Sequence, residues 1–236
     1  MLKISIPENK RLVWYLALEE YVAARVKEDT IFFWIVSPTV IFGRHQVMLN
    51  EVNTAFCEAH EIAMYRRKSG GGCVYADRGN LMISYITNNT HSEAVFQHYL
   101  DLLTHALSQA GYPTVKSEHN DVLVNGRKVS GNACYALPTG TIVHGTLLWN
   151  VDFGVLQQAI TPTREKLQKH GVESVRQRVV NLSSIPSLQA IRTVEDMRDY
   201  LASCFATETV SLTDEEIRAI DAIEAEYLAP DFIAGC

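Results

Sequence analysis

The sequence predicts a mixed α/β domain, and three observations carry that reading. Apolar, β-forming runs recur along the chain, at Ile31-Phe32-Phe33-Trp34-Ile35-Val36, Leu81 to Thr87 and Thr141 to Trp149. A long helical pattern, Ser92 to Gln109, separates the second run from the third. Between them Asn125-Gly126 sits among β-branched residues, the signal for a two-residue type I′ hairpin. The 236 residues suffice for one large or two small domains. No repeat, low-complexity tract or long linker divides them, so the expectation is a single domain over 1–236, with a helical C-terminal part from about Thr193 and no further accessory domain.

In chain order, Arg11 to Val26 reads as a helix with a broad apolar face over Val13, Leu16, Ala17, Glu20 and Ala24. Ile31 to Val36 reads as a buried strand, ended by Ser37-Pro38, and Thr39 to Phe42 as a short second one. Val52 to His60 is helical, starting near Asn50 or Glu51, and Ile62 to Arg66 leads into a triple glycine. After the strand Leu81 to Thr87, the helix Ser92 to Gln109 turns Val95, Tyr99, Leu102, Leu103, Ala106 and Leu107 inward. Gly111 caps it and Pro113 blocks its continuation. The hairpin spans Asp121 to Asn132, and Thr141 to Trp149 is the next strand. The pattern turns helical after Asp152: a short basic helix over Thr163 to His170 ended by Gly171, a helix Thr193 to Phe205 with Thr193 at the N-cap and Asp196 at N3, and a last helix from Leu212-Thr213-Asp214 to about Tyr227. Acids fill the first turn of that last helix, as the helix dipole favours. Its acidic run, Asp214 to Glu226, reads as a solvated face, with a docking surface as the competing reading.

A net charge of −6 argues against a general nucleic-acid binder. No apolar run reaches the roughly 18 residues of a membrane span, and the first residues lack a signal-peptide core. Cys57, Cys73, Cys134, Cys204 and Cys236 are widely spaced and include no CxxC pair, so neither a zinc site nor a disulfide framework is indicated. Thiols in a reducing cytoplasm account for them.

The most informative stretch is Arg66-Arg67-Lys68-Ser69-Gly70-Gly71-Gly72-Cys73-Val74-Tyr75. Consecutive glycines let a ligand approach the main chain and let several N–H groups converge as an anion nest. The neighbouring cations suit a phosphate or carboxylate. A tight solvated turn is the alternative.

In the hairpin, a two-residue turn pairs Val124 with Arg127 and Leu123 with Lys128, so strict alternation puts Asp121, Leu123, Lys128 and Ser130 on one face and Val122, Val124, Arg127 and Val129 on the other. An acid, an amine and a hydroxyl on one side can serve a polar reacting centre; a solvated face with one cross-strand ion pair is the competing reading. His144 on the following strand is structural or catalytic. Cys73, beside the cations, is a reactive thiol or a small buried hydrophobe. The chain lacks GxxxxGK[ST], GxGxxG in a βαβ setting, GxSxG and HExxH.

Together these motifs resemble the lipoate-protein ligase A family of the biotin/lipoate ligase superfamily. The resemblance is carried by Arg66 to Tyr75, Gly79-Asn80, Asn120-Asp121, Gly126-Arg127-Lys128-Val129-Ser130-Gly131, His144-Gly145-Thr146-Leu147-Leu148, Lys166-Leu167, Gly171 to Arg176 and Val180-Asn181-Leu182, in order over roughly residues 10 to 185. It implies an α/β (α+β) fold like that of class II aminoacyl-tRNA synthetase and biotin synthetase cores, with mixed β-sheets flanked by helices. It implies activation of lipoate by ATP to lipoyl-adenylate, then transfer to a lysine of an acceptor domain, as in 2-oxoacid dehydrogenase E2 subunits or glycine-cleavage H protein. By position, Arg67, Ser69, Gly70, Gly71, Gly72, Cys73, Val74, Tyr75, Asn80, Asp121, Lys128, Ser130 and His144 bind ATP and lipoate. Lys128 is the essential lysine, and Asp121 holds Mg2+ or the phosphate. The family's His-Asp after the loop aromatic is Ala76-Asp77 here. Some relatives carry their accessory domain on a separate polypeptide. Rival functions are an octanoyl- or lipoyl-transferase with a thioester on Cys73 or Cys134, a biotin-protein ligase, whose GRGRxGR-like loop is absent, and a non-catalytic lipoyl-binding protein.

Overall fold

The computed structural model describes residues 1–117, 121–160, 178–188 and 190–235. The basic helix expected at Thr163 to His170, Gly171 to Arg176, Asn120 and Cys236 lie outside the described residues.

A large sheet organises the fold. Its strands are β1 (Leu2–Ser5), β2 (Thr30–Trp34), β6 (Asn80–Thr87), β7 (Thr114–Lys116), β8 (Asp121–Val124), β9 (Arg127–Leu137), β10 (Gly140–Leu148) and β11 (Glu208–Ser211), in the order β11-β1-β2-β6-β10-β9-β8-β7. β1 runs parallel to both β11 and β2, and the remaining pairs are antiparallel. A second sheet, β4-β3-β5, is built from β3 (Thr39–Phe42), β4 (Ala63–Arg66) and β5 (Val74–Ala76). The helices are α1 (Leu12–Ala23), α2 (Met48–Glu51), α3 (Thr54–Ala59), α4 (Ser92–Gln109), α5 (Phe153–Ala159), α6 (Val194–Phe205), α7 (Asp214–Tyr227) and α8 (Pro230–Ala234).

Alternation along β2 and β6 divides the core. Ile31, Phe33, Leu81, Ile83 and Tyr85 pack with α4 and α6, whereas Phe32, Trp34, Met82 and Ile86 pack with α1 and α7. Helices thus cover both sheet faces, which is why these strands read as unbroken apolar runs. The small sheet closes its own cluster with α3 and α5 around Val40, Phe42, Tyr75 and Ala159.

α1 corrects the single-face expectation. Every residue from Leu12 to Glu19 is buried, because the helix lies between the large sheet and α7. A helix enclosed on all sides needs no narrow stripe. α7 keeps most of its acids exposed, as a solvated face requires, while Asp221 accepts from the Trp14 indole at 2.7 Å and the buried Glu224 pairs with Arg11 at 3.0 Å. The capping box at Thr193 and Asp196 is present, as is one at Thr213 and Glu216. Asn53, rather than Asn50 or Glu51, caps α3. In α4 the buried set gains Phe96 and Leu100, and Leu102 is half-buried. Among the described residues, no helix is long and apolar enough to cross a membrane.

Candidate active site

The hairpin turn forms as its residues dictate, with Asn125 and Gly126 at φ 51° and 75°. One step further, strict alternation fails. Val129 is an extra residue in β9, so Leu123 pairs with Lys128 but Val122 pairs with Ser130 and Asp121 with Gly131. Asp121 and Lys128 remain together, with Lys128 Nζ 2.8 Å from Asp121 Oδ1. Ser130 is corrected: it is wholly buried opposite Val122 and donates to Asn132 Oδ1 at 3.2 Å. Gly131 makes room for the amine, since a Cβ there would stand 2.7 Å from Lys128 Cε and Nζ.

β4 delivers the chain into the glycine loop, and β5 receives it. The three cations at its start were expected to offer charge to an anion. Each instead faces the protein's own acceptors. Arg66 donates to the carbonyls of Gly43, Arg44 and Gln46 at 3.3, 2.8 and 2.8 Å, and to those of Ile233 and Ala234 in α8 at 3.1 and 3.2 Å. Arg67, buried, donates to Gly70 and Gly72 carbonyls at 2.8 and 2.7 Å and to the Ile41 carbonyl at 3.3 Å. Burial pulls its guanidinium down to about 10. Lys68 lies 2.8 Å from Glu20 Oε2 and 3.0 Å from Glu226 Oε2. For Arg67 the physical reason is the loop itself. A glycine turn makes no ladder, so its carbonyls take donors from adjacent side chains. Gly71 adopts φ 92°, with Arg67 Nη2 so close that a Cβ would stand 2.9 Å from it. Among the described residues, no acceptor meets the exposed N–H groups of Gly70, Gly71 and Gly72.

Beneath the loop runs a buried polar row. Ser69 Oγ is 2.9 Å from His144 Nε2, and His144 Nδ1 is 2.8 Å from Glu19 Oε2. Ser84 donates to Glu19 Oε1 at 2.6 Å and accepts from the Trp34 indole at 2.9 Å. Glu19 was hidden from sequence reading as one acid of the Glu19-Glu20 pair in a helix.

The loop and the hairpin amine line one cleft of about 310 Å3. Arg67, Gly71, Gly72, Cys73, Val74, Asp121, Lys128 and His144 all border it. Its apolar wall is Leu12, Leu16, Trp34, Ile41, Met82 and Ala133. Gly70, Ser69, Tyr75, Asn80 and Ser130 do not border it. Asn80 is wholly buried and donates to the Tyr75 carbonyl at 3.2 Å. Asp77 accepts from the N–H groups of Gly79 and Asp152 at 2.8 and 3.0 Å, so it braces the turn after β5. Ala76 fills the core. Burial pushes the Cys134 thiol up to about 11, and no disulfide joins Cys57, Cys73, Cys134 or Cys204.

The profile of the lipoyl protein ligase A/B catalytic domain matches residues 13–206. The chain is 35% identical over 189 residues to lipoate-protein ligase LplJ of Bacillus subtilis, covering 79% of this chain and 56% of that protein. It spans less than two thirds of the length of the curated relatives first matched. Two solved structures share the fold at lower identity. One is from a bi-partite lipoate protein ligase system of Thermoplasma acidophilum, with its E2 lipoyl domain (TM-score 0.84, 22% identity, covering 99% of this chain and 95% of that one). The other is a lipoate-protein ligase A bound with ATP (TM-score 0.83, 19% identity, covering 99% and 98%). A cleft that joins an amine, a glycine loop and an apolar wall, read with these matches, places the chain in the lipoyl protein ligase A/B catalytic domain family.

Proposed function

We propose that this chain activates lipoate with ATP and transfers the lipoyl group to a lysine of an acceptor domain of the E2 or H-protein type. The observation that carries the reading is the shared cleft, lined by Lys128 and the loop residues Gly71 and Gly72 together with the apolar Leu12, Leu16, Trp34, Ile41 and Met82. Activation joins a carboxylate oxygen to the α-phosphorus and expels pyrophosphate. Transfer joins the acceptor amine to the acyl carbon and expels AMP. Both steps build charge at the carboxyl–phosphoryl junction. Lys128 supplies a cation there, and the exposed amides of Gly71 and Gly72 supply donors without reorganisation. The apolar wall takes the aliphatic tail. Arg67 holds the loop's shape rather than meeting the ligand directly.

Asp121 is the one carboxylate among the described residues of the cleft, and no cluster of three metal-ligating side chains occurs among the described residues. That suits magnesium, which keeps several waters and takes one or two carboxylates besides substrate phosphates. It would screen the phosphates' charge. The alternative is that a separate accessory subunit is needed for the activation half-reaction, leaving this chain to transfer from preformed lipoyl-adenylate. The test is lipoate-dependent pyrophosphate exchange and acceptor lipoylation, with lipoate plus ATP compared against preformed lipoyl-adenylate. Transfer from the adenylate without exchange assigns activation to a partner; absence of both overturns the proposal. A thioester transferase is the second reading, favoured by Cys73 bordering the cleft. Cys73→Ser and Cys134→Ser that both retain activity exclude it.

A further inference from the structure

Residues 66 to 69 form an unbroken run in which each side chain holds a different part of the fold. Arg66 holds the turn at Gly43 to Gln46 and the end of α8, Arg67 the loop carbonyls, and Ser69 the His144 ring on β10. Lys68 reaches into the seam between α1 and α7. Its ammonium lies between Glu20 of α1 and Glu226 of α7, and 4.8 Å from the centroid of the Tyr227 ring. The Tyr227 hydroxyl, itself buried, donates to Glu20 Oε1 and fixes that carboxylate. The Lys68 and Glu20 side chains are 19% and 18% exposed, so solvent screens this pairing far less than it would a surface ion pair. The adjoining ion pair, Arg11 with Glu224, ties the same two helices.

We infer that Lys68 is a positioning residue for the cleft: it fixes the glycine loop to the α1–α7 seam, so α7 sets where the loop amides stand. Lys68 does not border the cleft and touches no reacting group, so its effect passes through the loop. The three glycines that follow have no side chains with which to anchor themselves, and a glycine backbone is conformationally permissive. The register of the loop therefore comes from its ends. The Lys68 anchor is also the one link of the run that depends on α7. The consequence for nucleotide binding rests on the activation reading above, but the positioning itself does not.

The experiment uses the full chain and two readouts. Cys73 ends the loop and borders the cleft, whereas Cys204 is exposed on α6. Their alkylation rates, resolved by peptide mass spectrometry, report loop position without any catalysis. Lys68→Met is expected to change the Cys73 rate at least about threefold while Cys204 stays constant, and to raise KM for ATP in pyrophosphate exchange about tenfold with a smaller change in kcat. Lys68→Arg is expected to restore both. Tyr227→Phe, which loosens the seam from the α7 side, is expected to shift both in the same direction as Lys68→Met, and it decides the matter if Lys68→Met does not fold. A lower melting temperature with an unchanged Cys73 rate and unchanged KM overturns the inference. Absence of exchange in the parent protein sinks the activation reading alone, and the Cys73 rates still decide the positioning.

Discussion

Lys128→Ala separates chemistry from folding. The amine is 37% exposed and its partner Asp121 24% exposed, at 2.8 Å. An ion pair this open to solvent contributes roughly 0.2–1 kcal/mol to stability. In a chain of this size, a loss of that order moves the melting temperature by no more than about 2–4 °C. At the reacting centre the same amine stabilises charge in a confined site, where removing one such donor costs about 2.7–4 kcal/mol, or roughly a hundredfold to a thousandfold in rate. The variant also leaves Asp121 uncompensated against the substrate phosphates, which pushes the loss toward the upper figure. Lys128→Arg is not expected to rescue, because the amine is packed against Gly131 and a planar guanidinium has no matching space. Pyrophosphate exchange with lipoate and ATP, measured beside thermal melts, gives both numbers. Exchange by Lys128→Ala within about threefold of the parent would refute the electrostatic role assigned by analogy with oxyanion donors.

Gly131→Ala is expected to keep the melting temperature but lower exchange by at least about tenfold: its Cβ, at 2.7 Å, meets only the flexible end of Lys128, whose displacement is cheap for the fold and costly for alignment. Stability is expected to fall above pH 10. Tyr75, Tyr85, Tyr99 and Tyr227 are held protonated by burial, and Tyr200 is pushed up to about 12, so the unfolded chain binds fewer protons there. Urea midpoints across that range check the sign. Tyr99→Phe is expected to flatten the alkaline fall and to stabilise by about 1 kcal/mol, because that hydroxyl is buried without a hydrogen-bond partner among the described residues.

Much of this architecture was legible in the sequence because its signals are local. Ser92–Gln109 announces itself by period and by Gly111, the hairpin by Asn125-Gly126, α6 by its capping box and α7 by the acids of its first turn. What was not legible is non-local. β1 and β11 are four-residue strands that pair in parallel across the length of the chain, and nothing near either one says so. The Val129 bulge leaves no mark on a run of β-formers, yet it moves Ser130 from the amine's face into the core. The cations at 66 to 68 were read as a ligand's counter-charge because a sequence shows charges but not their distant partners: carbonyls of the 43–46 turn and α8 for Arg66, loop carbonyls for Arg67, and carboxylates of α1 and α7 for Lys68. The reading of one acid and one amine at Asp121 and Lys128 survived because the extra residue is in β9: alternation along β8 keeps Asp121 on the face of Leu123, which still pairs with Lys128.

The row beneath the loop imposes a direction that can be measured. A carboxylate only accepts, so both groups facing Glu19 donate: Ser84 through its hydroxyl and His144 through Nδ1–H. In the neutral ring, Nε2 is then an acceptor, and the Ser69 hydroxyl donates to it. Glu19→Gln breaks this symmetry, because an amide offers one acceptor and one donor. If its oxygen faced His144, its NH2 would face Ser84. That wholly buried hydroxyl, already receiving the Trp34 indole, would lose its acceptor at about 1–3 kcal/mol. The opposite orientation keeps Ser84 satisfied and presents the NH2 to Nδ1, which must now accept. The ring proton moves to Nε2, and Ser69 changes from donor to acceptor. Imidazole nitrogen shifts of the neutral ring are therefore expected to report an Nδ1–H tautomer in the parent and Nε2–H in Glu19→Gln. An unchanged tautomer would mean that Ser84 finds another acceptor, and that the row does not transmit orientation from α1 to the loop.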